Sequence, residues 1–136
     1  MAVKLAKDAL DLGVTTVDFE AMTRFYRDVL EFELVGEFPT RASPDGLVRE
    51  FRCGASIIKL LSYGTRETSE PQRVRGLRVP GYRYWIMRVN NIEEIIARCE
   101  GFGFPMMAPL KEIAAGIRVA LVEDPDGNWI EFMEER

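Results

Sequence analysis

The feature that most constrains this chain is an internal repeat. The run Asp11-Leu-Gly-Val-Thr-Thr-Val-Asp18 leads into Phe19–Phe32, and Tyr84-Trp-Ile-Met-Arg-Val-Asn-Asn91 leads into Ile92–Phe102. Asp18 and Asn91 lie 73 positions apart, and each can cap a helix by offering a side-chain oxygen to free backbone N–H groups. A short β-rich run precedes each cap. A helical spacing of apolar residues follows it: Phe19, Met22, Tyr26, Val29 and Leu30 in the first copy, Ile92, Ile95, Ile96 and Cys99 in the second. Gly101 is a natural stop for the second helix. Three strand-like runs then follow each helix. They lie around Phe32–Phe38, Gly46–Cys53 and Ala55–Ser62, then around Phe104–Pro109, Gly116–Glu123 and Asn128–Glu134. Asp124-Pro125-Asp126-Gly127 marks a hairpin between the last two, because Pro sets φ and Gly accepts a positive one.

The pattern is therefore β-α-β-β-β, twice, and the predicted class is α+β. The half-modules span about 8–63 and 81–136, joined by a polar, Arg-rich linker over about 64–80. About 55 residues with one helix on one sheet face leave the other face bare. Residues 1–136 are therefore expected to form one domain: paired modules making a curved mixed sheet around a cleft, with the helices outside.

Composition removes several function classes. The chain has no histidine, which rules out a Ser-His-Asp triad, a His-Glu-x-x-His zinc helix and a two-His-one-carboxylate iron site. Two cysteines, Cys53 and Cys99, make neither a disulfide framework nor a zinc cluster, and suit a reducing cytosol. No run approaches the roughly 20 apolar residues of a membrane span, and the first residues lack a signal-peptide core. The expected setting is cytoplasmic. A net charge of −4 argues against a nucleic-acid surface, with Arg66, Arg73, Arg75 and Arg78 as a local basic exception. Those arginines fit a solvated linker better than a clamp on an anionic ligand.

The segment Val17–Phe32 resembles the first helix of the vicinal oxygen chelate superfamily, which includes glyoxalase I, bleomycin-resistance proteins and extradiol dioxygenases. Glu123–Phe132 resembles its closing hairpin. The resemblance implies a metal-ligand position on the first and last strand of each module. Carried over by offset from the helix caps for the first strands and by matching the last strands, these positions hold Asp11 and Tyr84, then Lys59 and Glu131. Only Glu131 keeps a residue type usual in the family. A Lys ammonium only donates and repels a cation. Asp11 and Glu131 alone could hold Mg²⁺ or Mn²⁺ with water, but Lys59 disfavours it, so no metal or other cofactor is expected. Lys59 instead reads as a positive charge set between two carboxylates in place of the metal.

Two readings of that set compete. It is either a structural ion cluster or an acid–base site in which Asp11 or Glu131 is the base, Lys59 the electrostatic partner and Tyr84 a hydrogen-bond donor. Strand alternation adds Gly13 and Thr15 beside Asp11, Tyr63 beside Lys59, Tyr82 and Arg88 beside Tyr84, and Trp129 and Met133 beside Glu131. Thr15, Tyr63, Tyr82, Arg88, Trp129 and Met133 are the expected substrate-binding residues. The favoured expectation is a metal-independent isomerase, cyclase or lyase acting on a small carbonyl-bearing or aromatic molecule. The rivals are a non-catalytic drug- or metabolite-binding protein and a divalent-metal lyase or isomerase using Asp11 and Glu131. The resemblance also implies a homodimer.

Overall fold

The computed structural model describes residues 2–41, 43–64 and 78–136. The chain divides into two compact units, Met1–Glu70 and Pro71–Arg136. Each is a four-stranded mixed sheet with its own helix, and each has the β-α-β-β-β order expected from the repeat.

In the first unit β1 (Leu12–Thr15) is followed by α1 (Phe19–Arg24), which runs straight into a π-helical turn, Phe25–Val29. Then come β2 (Glu33–Pro39), β3 (Leu47–Cys53) and β4 (Ser56–Ser62). The strand order is β1-β4-β3-β2, with β1 parallel to β4 and the other pairs antiparallel. Asp18 caps α1 as its sequence position predicts, accepting from the Ala21 N–H at 3.1 Å. Met22, Phe25, Tyr26 and Val29 are buried from the helix, and Phe51, Ile58 and Leu60 from the sheet. The Tyr26 and Phe51 rings lie 6.4 Å apart, which fixes the helix-facing side of β3. Full burial of one such side chain stabilises by roughly 1.5–3 kcal/mol. After the π turn, Glu31 sits at φ 58°, a left-handed conformation that normally falls to glycine.

In the second unit β5 (Tyr84–Arg88) leads to α2 (Ile92–Gly101), then β6 (Met106–Ala114), β7 (Ile117–Glu123) and β8 (Trp129–Glu135). The order is β5-β8-β7-β6, again with one parallel pair, β5 with β8. α2 lies against β6, β7 and β8, with Ile92 and Cys99 buried beneath it. Burial pushes the Cys99 thiol up to about 11, as suits an inert core residue.

Two local expectations need correction, the Asn91 cap and the end of β6. Asn91 makes no side-chain cap to α2; it donates to Glu94 instead. The α2 N-terminus is held from the sheet, where buried Glu134 on β8 accepts from the Ile92 N–H at 3.2 Å. α2 does end at Gly101, and the left-handed glycine that follows it is Gly103 (φ 90°). β6 runs past Pro109 to Ala114, because an edge strand tolerates a bulge at a residue without an N–H.

One tie recurs in both units. Arg49 on β3 reaches Glu20 in the first turn of α1 at 2.9 Å, Thr23 at 2.9 Å and Glu37 on β2 at 2.6 Å. Arg118 on β7 reaches Glu93 in the first turn of α2 at 2.7 Å, and also Glu134. An arginine on the third strand thus pins the acidic first turn of each helix to its sheet. Glu20 and Glu93 keep the same 73-residue offset as the helix caps.

Candidate functional site

Each sheet has one face under its helix and one face turned away from it. The register decides which residues share the second face. In the first unit Gly13 pairs with Lys59, and Lys59 with Glu50. Ile58 and Leu60, its chain neighbours, are buried on the helix side. Lys59 therefore stands on the open face, half-buried, as expected from alternation. Thr15 stands on the same face at the end of β1 and is exposed. Tyr63 lies just beyond β4, half-buried, and its carbonyl accepts from Ser43 Oγ at 2.8 Å.

Asp11 does not pair with Lys59. It sits immediately before β1, exposed, and its carboxylate accepts from Lys7 Nζ and from the Ile57 N–H at 2.8 Å. The Lys7 hydrogen bond first, then the Ile57 N–H, hold its carboxyl below the ordinary range. Asp11 is thus a strand-end clasp with its charge already matched. Lys7 is the nearer cation, and Lys59 adds a weaker pull in the same direction.

In the second unit Ile86 pairs with Glu131, and Glu131 with Leu121. Tyr84 lies across from Trp129, and Arg88 across from Met133. Ile130, Phe132 and Glu134 face the helix side and are buried. Tyr84, Ile86, Arg88, Leu121, Trp129, Glu131 and Met133 therefore share the open face. Burial pushes the Glu131 carboxyl up from its ordinary value. Its two cross-strand neighbours are apolar, so nothing directly opposite it carries a counter-charge. Asp11 and Glu131, interchangeable as candidate bases in sequence, are thus moved in opposite directions.

The remaining expectations divide. Trp129 and Met133 flank Glu131 as alternation predicts, both half-buried. Arg88 is exposed, 3.6 Å from Glu135, in a surface ion pair. Tyr82 is fully exposed in the segment before β5 and does not continue the Tyr84 face, because the strand begins only at Tyr84. Arg78 is exposed, and Arg66, Arg73 and Arg75 lie outside the described residues. Two neighbours escaped the sequence reading: Glu50 beside Lys59 and Leu121 beside Glu131. Both can be counted back from the turns at Gly54-Ala55 and Asp124–Asn128, which set the antiparallel registers.

The donors at the four inherited positions are poor for a divalent cation. Lys59 is cationic, Asp11 is engaged by Lys7 and a backbone N–H, Tyr84 is a phenol, and Glu131 is flanked by Ile86 and Leu121. Among the described residues, no three Cys, Asp or Glu side chains cluster as they would around a metal ion.

Two copies of a βαβββ unit, each with an open sheet face bearing a few polar groups, define an α+β protein of the glyoxalase type. The chain belongs to the Glyoxalase/Bleomycin resistance protein/Dioxygenase superfamily, whose family model matches residues 10–132. Among solved structures it is similar to SMU.1112c, with 20% identity over 96% of this chain and 100% of that one, TM-score 0.77. A glyoxalase family protein from Bacillus cereus matches with 18% identity over 98% of this chain and 96% of that one, TM-score 0.76. The lactoylglutathione lyase from Agrobacterium tumefaciens matches with 21% identity over 96% of each chain, TM-score 0.66. At these identities the likeness is one of fold. The search of curated proteins found no match. No helix among the described residues is long and apolar enough to cross a membrane.

Proposed function

We propose that the protein is a metal-independent enzyme of this fold, an isomerase, cyclase or lyase that moves a proton next to a carbonyl on a small, partly aromatic molecule. The observation that carries the reading is Glu131, a carboxyl on an open sheet face with Ile86 and Leu121 as its cross-strand neighbours and its proton affinity raised by burial. A base must hold a proton strongly enough to take it and weakly enough to return it, and desolvation moves a carboxyl in that direction. Glu131 would take the proton from carbon. The C–H electron pair would move to the carbonyl oxygen as an enolate, and the proton would return at a second position. Tyr84, diagonal to Glu131 on the same face, would donate a hydrogen bond to the enolate oxygen. Asp11 is set aside as the base, because its charge is already matched by Lys7. The setting is taken to be a cytoplasmic homodimer acting on a small ligand.

The test is proton exchange in D₂O. Enolisable aryl ketones and α-dicarbonyls are incubated with the protein, and loss of the α-proton signal is followed by NMR. Wild type should exchange at least one of them. Glu131→Gln should bind that compound with similar affinity and lose at least about a hundredfold in exchange rate, the scale of a general base. Tight binding with no exchange of any compound would sink the enzymatic reading in favour of a sequestering protein.

A further inference from the structure

The strand face that carries Glu131 also carries Trp129, two residues away and about 7 Å along β8. The Trp129 indole Nε1 is buried and has no hydrogen-bond partner among the described residues. Buried donors are paired in the great majority of cases, so this one needs an explanation. Arg83 Nε and Arg118 Nε are in the same condition, but those side chains have other N–H groups bonded, Arg83 to the Pro80 carbonyl and Arg118 to Glu93 and Glu134. An indole has a single N–H and no second route to satisfaction. Glu131, beside it, accepts no hydrogen bond from any described residue. A lone donor and a lone acceptor thus belong to residues two apart on one strand face, with Tyr84 across from Trp129 and Ile86 across from Glu131.

We propose that this face is the recognition subsite for a flat, uncharged ring bearing a carbonyl next to an N–H or O–H, as in a lactam or a hydroxy-ketone. The ring carbonyl accepts from Trp129 Nε1, and its N–H or O–H donates to a Glu131 oxygen. The aromatic and aliphatic side chains around the two polar groups suit a planar ring. An anion is disfavoured, because neither cross-strand neighbour of Glu131 supplies a positive charge. The inference rests on the proposal that this face takes the ligand, but it does not require turnover.

The probe is 2-quinolone, a flat lactam, compared with 1-methyl-2-quinolone, which lacks the donor, and naphthalene, which lacks both groups. Affinity is measured by calorimetry on wild type and on Trp129→Phe. The indole N–H resonances are followed in ¹⁵N-labelled wild type, with Trp85 as the internal reference. The lactam should bind, move the Trp129 indole resonance downfield and lose about tenfold in affinity in Trp129→Phe. N-methylation should cost a similar factor, and naphthalene should be indifferent to Trp129→Phe. If that variant does not fold, the wild-type resonance shift and the N-methyl comparison still decide. No binding of 2-quinolone, or binding with the Trp129 resonance unmoved, overturns the inference. A shifted resonance without any proton exchange leaves it standing and defeats the acid–base reading alone.

Discussion

A carboxyl set between Ile86 and Leu121 costs stability whenever it is charged. Glu131 has its folded-state proton affinity raised by burial, so the folded state holds that proton more tightly than the unfolded chain does. The sign follows. The cost is present above the folded value and fades as pH falls toward the unfolded value near 4.5. Glu131→Gln should therefore melt higher than wild type at pH 7, and the two should converge below about pH 4. This is read by thermal unfolding across pH, and a variant less stable than wild type at pH 7 would contradict it. Asp11 behaves oppositely, because Lys7 and the Ile57 N–H favour its charged form. Both acids are equally visible in the sequence. What separates them is a neighbour in space: Lys7 reaches Asp11 because the N-terminal segment brings it there.

At the scale of the element, the two helices begin in different ways despite their shared offset. Asp18 caps α1 through its own side chain. Asn91 leaves α2 to Glu134, which comes from the far end of the chain and is itself held by Arg118. Asp18→Ala should cost about 1 kcal/mol of stability, while Asn91→Ala should cost less than about half of that. Urea unfolding of the two variants measures the difference. Equal losses would mean that Asn91 caps α2 in solution. Helix, strand and hairpin positions were legible from periodicity and turn residues, which act over a few positions. The Arg49–Glu20 and Arg118–Glu93 ties were not, because which helix residue a strand side chain meets depends on how the helix packs across the sheet.

At the scale of the molecule, the resemblance puts Asp11, Lys59, Tyr84 and Glu131 at the family's metal positions, and of these only Glu131 is of the usual type. If those residues stand in for the cation, EDTA should leave the melting temperature unchanged, and protein purified without a metal-affinity step should carry no stoichiometric metal by elemental mass spectrometry. A stabilising metal lost to EDTA would lower the melting temperature by several degrees and restore the lyase or isomerase that uses Asp11 and Glu131. The repeat, the α+β class and the family were determined by the sequence alone, because caps, apolar periodicity and turn residues are local and the 73-residue offset repeats them. So was the placement of Lys59 and Glu131 on the open faces, since strand alternation follows directly from the positions of buried neighbours. Only the tertiary structure decided which acid is desolvated and which is neutralised, and that Trp129 holds a buried N–H without a partner among the described residues. Those properties depend on what surrounds a side chain in space, and that is settled by strand register and burial, which residue spacing does not encode.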